Sequence, residues 1–127
     1  MIITTELMKK IITDYIKKKD YVTYAQIERL FQENGYDYKG NSTLANDNYP
    51  NIIFWCGWKE EAYLLLRELE NEKLIYKHQS SFLCYLIDGK SLTFPIVKSI
   101  RQYKKEHWLP VCYRPVSVAK VQGDGNS

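Results

Sequence analysis

The sequence predicts an α+β fold of three helices and a β-hairpin, on three observations. Large apolar residues recur at helical spacing in three separate windows; the first two windows open on threonine capping signals; and the third runs directly into two strand-like runs around a polar tip. A chain of 127 residues, 45% hydrophobic and 26% charged, is the right size for one such domain with a real core.

Thr4 or Thr5 caps the first helix, in which Leu7, Met8, Ile11, Ile12, Tyr15 and Ile16 form the apolar face. Lys9, Lys10, Lys17, Lys18 and Lys19 stay in water, either as a solvated face with a favourable basic carboxyl end or as a phosphate-contacting one. Tyr21 and Val22 make a very short strand. Thr23 with Gln26 is a capping box, and Tyr24, Ile27, Leu30 and Phe31 continue a second helix that ends at Asn34-Gly35 through a left-handed residue.

More than twenty residues then separate Asn34 from Trp58. Asn41 to Pro50 is polar and reads as a surface loop, followed by a short strand at Ile52 to Trp55. Within the insertion, Tyr36, Tyr38 and Tyr49 either pin it to the core or stack on bases. Gly57 serves as N-cap for a third helix, whose stripe runs through Ala62, Leu65, Leu66 and Leu69 and is widened by Tyr63 and Leu64.

After Asn71 to Lys73, Leu74 to Tyr76 opens one strand, His78 to Ser81 is the tip, and Phe82 to Ile87 returns as a second strand closed by Asp88-Gly89. Leu92 to Val97 is a third strand, confined to an edge by Pro95. Lys98 to Lys105 is basic, and Trp108 to Val111 is extended and returns to the core. Residues 1–118 thus form one domain and 119–127 a small, polar tail.

Helix, short strand, helix, helix, hairpin is the order of a winged helix, here with a long insertion before the third helix and a C-terminal extension. The segment GWKEEAYLLLRELENEKLIYKHQSSFLCYLIDG resembles the recognition helix and wing of bacterial winged-helix proteins. The combination of YVTYAQIERLFQENGYDYKG, FWCGWKEEAYLLLRELENEKLIY and YLIDGKSLTFPIVK is similar to small uncharacterised proteins of staphylococcal phages and pathogenicity islands. That resemblance implies a mobile-element setting and assigns no functional residues.

Cys56, Cys84 and Cys112 are odd in number, far apart and without zinc-ligand spacing, so they read as reduced thiols. No apolar run reaches the roughly 18 to 20 residues that span a bilayer, and no signal-peptide pattern opens the chain, which predicts a cytoplasmic protein without membrane contact. There is no glycine-rich phosphate loop, nucleophile elbow or metalloprotease motif, and His78 and His107 have no partner in sequence. The expectation is a non-enzymatic protein with no cofactor, no metal and no catalytic residue.

The net charge of +3 conceals a basic amino end at +3, an acidic stretch 20–72 at −6 and a basic remainder at +6. A recognition helix normally presents Arg, Lys, Asn or Gln to base edges. The exposed positions here are Lys59, Glu60, Glu61, Arg67, Glu68, Glu70 and Asn71, a poor match to a polyanion. The nucleic-acid contact is therefore assigned to Lys17, Lys18, Lys19, Lys77, His78, Lys98, Arg101, Lys104 and Lys105, with single- and double-stranded DNA both open. The alternative is a protein-docking module, in which Glu60, Glu61, Arg67 and Glu68 meet a basic host or phage partner, such as a DNA-binding surface that it blocks. A homodimer through an apolar face of the insertion and carboxyl segment is also open.

Overall fold

The structure is a computed structural model that describes residues 3–117. The predicted tail, 119–127, lies outside the described residues. The fold is α+β, with helices α1 (Thr5–Lys19), α2 (Tyr24–Glu33), α3 (Glu60–Asn71) and α4 (Leu83–Ile87), and strands β1 (Lys39–Ala45), β2 (Ile52–Trp58), β3 (Ile75–Gln79), β4 (His107–Trp108) and β5 (Val111–Pro115).

The first two helices start where their capping residues require. The Thr4 side chain accepts from Leu7 N, while Thr23 accepts from Gln26 N and Gln26 returns the bond to the Thr23 backbone, so two otherwise orphaned amides are satisfied at once. α2 closes on Gly35 at φ 66, with Gly35 N donating to Gln32 O and Tyr36 N to Phe31 O. The Phe31 and Tyr36 rings stack at 4.8 Å across that cap.

The insertion is more regular than its composition predicts. β1 and β2 form an antiparallel hairpin, and β4 adds to β2 in parallel, giving the order β1-β2-β4. Lys39–Ala45 has no run of β-branched or aromatic side chains; it is a strand because β2, an aromatic and aliphatic run buried in the core, gives its backbone groups partners. Gly40 sits where a Cβ would come within 2.6 Å of Lys59 N, so the two chains approach closely only because that position carries no side chain. α3 begins at Glu60 with Lys59 as N-cap, while Gly57, at φ 92, belongs to β2.

The predicted hairpin after α3 is corrected. Phe82 to Ile87 is not a strand: Leu83–Ile87 is α4, and β3 pairs instead with β5, from Ile75 opposite Pro115 to Gln79 opposite Val111. A short apolar run fits strand and helix alike, and here burial of Tyr85 alone turns the others outward. Asp88-Gly89 does supply the positive φ, but it ends a helix: Gly89 N donates to Leu86 O and Lys90 N to Tyr85 O. Leu92 to Val97 is likewise not a strand, and its pairing is one parallel bridge, Ile96 with Trp108. Val22 bridges Tyr113 in antiparallel sense, on the other side of β5 from β3.

The core lies between α1, α2 and α3 and the two sheets, and its largest members are aromatic. Trp55, Trp58, Tyr24, Tyr113 and Phe31 are fully enclosed, with Trp55 stacked on Tyr24 at 5.7 Å and on Tyr85 at 5.2 Å. Tyr38 is buried between Phe31 and Trp58, and Tyr36 and Tyr49 pack partly against the core. The insertion tyrosines therefore anchor it, and Tyr38 is not free to stack on a base.

Candidate nucleic-acid interface

The predicted basic residues separate into two kinds. Lys77, on β3, is half-buried and gives its ammonium to both oxygens of Glu70, at 3.0 and 3.1 Å, over the rings of Phe54 and Tyr113. Glu70 also accepts from the Tyr113 hydroxyl at 3.0 Å, and that hydroxyl lies 3.1 Å from the hydroxyl of Tyr24. Lys77 is thus the outer end of a polar chain that runs into the core. His78 is half-buried beside it, its ring edge-on to Tyr21 at 5.8 Å and Tyr76 at 6.4 Å.

The remaining cations face water. Lys17, Lys18 and Lys19 form the exposed last turn of α1, where the carboxyl end of the helix dipole favours them. Lys98, Arg101, Lys104 and Lys105 are exposed on the segment between α4 and β4. Among the described residues none of these seven takes part in an ion pair.

Tyr103 gives the second group its shape. It is buried, and its hydroxyl accepts from Lys98 N and Ser99 N at 3.2 Å and donates to Ser99 O at 2.8 Å. The Arg101 guanidinium lies 4.3 Å from the Tyr103 ring centre, and His107 stacks on that ring at 3.9 Å. Asn51, from the turn between β1 and β2, donates to Tyr103 O at 2.8 Å. The basic segment is therefore held as a formed loop around one aromatic ring. Beside it, Asn51, Phe94, Pro95, Lys104, Lys105 and Glu106 bound a cleft of about 540 Å³.

The acidic helix is less free than its sequence predicts. Glu68 and Glu72 both hold Lys9 of α1, at 3.2 and 2.9 Å. Lys59 reaches Asp37 at 2.6 Å and stands 4.0 Å from Glu61. Glu60 and Arg67 instead line a cleft of about 270 Å³ between α3 and β1, where Tyr63 donates to Ser42 O at 3.1 Å. Glu60, Glu61, Arg67 and Glu68 are thus divided among three surroundings, and the β1–β2 hairpin lies along part of the helix.

Sequence reasoning missed Glu28. It is buried on α2, and one carboxylate oxygen accepts from both Trp55 Nε1 and Trp58 Nε1 at 2.8 Å, while the other pairs with Lys90. The signal was present: position 28 falls on the same stripe as Tyr24, Ile27 and Phe31. Also missed was Arg114, buried on β5 and doubly bonded to Asp20 at 3.0 and 2.9 Å, with its guanidinium 4.1 Å from the Tyr21 ring centre. The Arg114 guanidinium holds the Asp20 carboxyl below its ordinary range. Both groups have their partners within the fold and act as struts.

Among the described residues no three His, Cys, Asp or Glu stand together as metal ligands, and no helix is long and apolar enough to cross a membrane. The three cysteines are free thiols, and burial pushes that of Cys112 up to about 12. The chain matches no family model, no curated protein and no solved structure.

Proposed function

We propose that this chain is a non-enzymatic, winged-helix accessory or regulatory protein of a mobile genetic element that binds nucleic acid through its exposed basic loop, not through its third helix. The mobile-element setting rests on the sequence resemblance alone. Support for the winged-helix reading comes from strand order: Val22 beside β5 and β5 beside β3, with α1, α2 and α3 preceding β3, is the arrangement of that fold if the wing is the whole stretch 80–110.

The observation that carries the nucleic-acid reading is the loop built on Tyr103. Lys98, Arg101, Lys104 and Lys105 project from a segment with fixed hydrogen bonds, without carboxylate partners among the described residues, beside a cleft that contains Phe94. Unpaired cations on a preformed surface gain most from displacing counterions along a phosphate backbone, and the half-buried Phe94 adds a ring to the same cleft. Lys17, Lys18 and Lys19 are a second set of exposed cations, at the end of α1; Lys77 stays with Glu70.

Fluorescence anisotropy with labelled single- and double-stranded oligonucleotides tests this. Affinity should fall steeply between about 50 and 200 mM salt, and reversing Lys104 and Lys105 to Glu should lower the logarithmic salt slope by about 2. Absence of binding to either substrate at low salt overturns the proposal. The cleft between α3 and β1 keeps one observation for protein docking, with Glu60 and Arg67 at its wall. That reading predicts a single stoichiometric partner in a pull-down, lost on reversal of Glu60, Glu61 and Glu68, and an empty pull-down would count against it.

A further inference from the structure

The cleft beside the Tyr103 loop has walls of two kinds. Phe94 and Pro95 give it an apolar side, Lys104, Lys105 and Glu106 border it from the loop, and Asn51 borders it from the turn between β1 and β2. Both sides are tied to β4. Trp108 N donates to Pro95 O at 2.8 Å and Val97 N to Trp108 O at 2.9 Å, while His107 N donates to Asn51 O at 2.7 Å. Phe94 is half-buried against the core and, among the described residues, stacks on no other ring, whereas Tyr103 carries both Arg101 and His107. At about 540 Å³ the cleft falls within the roughly 300 to 1,000 Å³ of small-molecule sites.

Charge decides what each part of the cleft accepts. Glu106 has no ion pair among the described residues, and its carboxylate repels a phosphate but accepts from an amino group. Lys104 and Lys105, equally unpaired, attract phosphates. A fitting ligand is therefore anionic where it meets the lysines, and uncharged, flat and donor-bearing where it meets Phe94 and Glu106. We infer that the cleft takes one unstacked base of a single-stranded nucleic acid, laid against Phe94 and Pro95 while the flanking phosphates meet Lys104 and Lys105; this rests on the nucleic-acid reading and adds the strand state to it. In a duplex each base is stacked on both faces and paired along its edge, so it offers neither a face to Phe94 nor a free Watson–Crick edge to Glu106. Residues 88–106 also contain no helix and no strand with which to fill a major groove.

Fluorescence anisotropy at neutral pH and about 50 mM salt tests this with three labelled probes of about 12 nucleotides per strand: oligodeoxycytidine, the same sugar-phosphate strand without bases, and a mixed-sequence duplex. The strand with bases should bind about tenfold more tightly than the strand without them. It should also bind more tightly than the duplex, despite the higher charge density of the latter. Phe94→Leu keeps apolar bulk against the core and removes the ring. It should weaken binding of oligodeoxycytidine about tenfold, leave the baseless strand unaffected and leave the salt slope unchanged, since no charge is removed. Circular dichroism checks that the variant folds, and the comparison of probes on the wild type decides the matter if it does not. Equal affinity for strands with and without bases, a duplex bound as tightly or more tightly, or a folded Phe94→Leu variant that binds as the wild type does overturns the inference and leaves the basic loop as the nucleic-acid contact. Failure to bind any of the three probes overturns the nucleic-acid reading as well.

Discussion

The neighbourhood of Glu28 and the excursion 80–110 treat the same kinds of side chain in opposite ways. Around Glu28, a buried carboxylate accepts from two buried indoles and pairs with the half-exposed ammonium of Lys90, and a similar chain joins Tyr24, Tyr113, Glu70 and Lys77. In the excursion, Tyr85 and Tyr103 carry the anchoring, while Ile87, Lys98, Lys104 and Lys105 stand in solvent. The difference is instructive because both regions hold lysines that sequence grouped together. Lys77 emerges from a strand inside the packed body and meets Glu70; Lys104 emerges from a loop where, among the described residues, it has no ion pair, although Glu106 borders the same cleft. Burial draws charges into pairs, and a surface loop leaves them for partners outside the molecule.

The largest expected effect breaks the first region. Glu28→Ala removes the acceptor shared by two buried indole N–H groups and leaves them unpaired, so unfolding in urea should show a loss of about 3–5 kcal/mol. Glu28→Gln keeps an acceptor and should cost clearly less. If the two variants unfold alike, the carboxylate is not the strut described.

Asp20→Asn should cost about 2 kcal/mol, less than a fully buried pair because Asp20 keeps 25% of its side-chain exposure. It should also change the acid limb. A carboxyl whose folded value is lowered supplies stability that is complete above its unfolded value, near about 4, and that disappears as pH falls through the lower folded value. Urea midpoints measured from pH 7 downward should therefore fall less steeply in acid for the variant than for the wild type.

A smaller effect, of opposite sign, is expected at the end of α3. Its cap repeats the hydrogen bonds of the α2 and α4 caps, Lys73 N to Glu70 O and Leu74 N to Leu69 O, but Lys73 sits at φ 60 where the others have glycine. Lys73→Gly should raise stability by about 1 kcal/mol, measured by thermal or urea unfolding. Smallest for folding, Lys104→Glu with Lys105→Glu should shift stability by no more than about 0.5 kcal/mol while weakening oligonucleotide binding. A large loss of stability in that pair would mean that the loop belongs to the packed body after all.

The helices of the body were legible because their signals are local. Thr4, Thr23 with Gln26, and Asn34-Gly35 act on amides and carbonyls a few residues away, and apolar periodicity needs only the helix itself. The Tyr103 loop was legible as basic, but not as a structure, because the bonds of its hydroxyl to Lys98 and Ser99 follow no cap or periodic signal and Asn51 reaches it from a distant turn.

What the sequence by itself determined, then, is the α+β class, the three long helices with their ends near the observed bounds, and the uneven placement of charge. Tertiary structure decided which strand pairs with which, and with it the state of Phe82 to Ile87. The physical reason is range. A cap is settled within one turn of helix, whereas β3 closes on β5 across more than thirty intervening residues, and once Val111–Pro115 holds that edge the nearer run is left to form α4 with Tyr85 turned inward. Whether a given lysine is paired or open followed from the same long-range choice, since Lys77 lies on the strand that β5 covers and Lys104 lies on the loop that leads back to it.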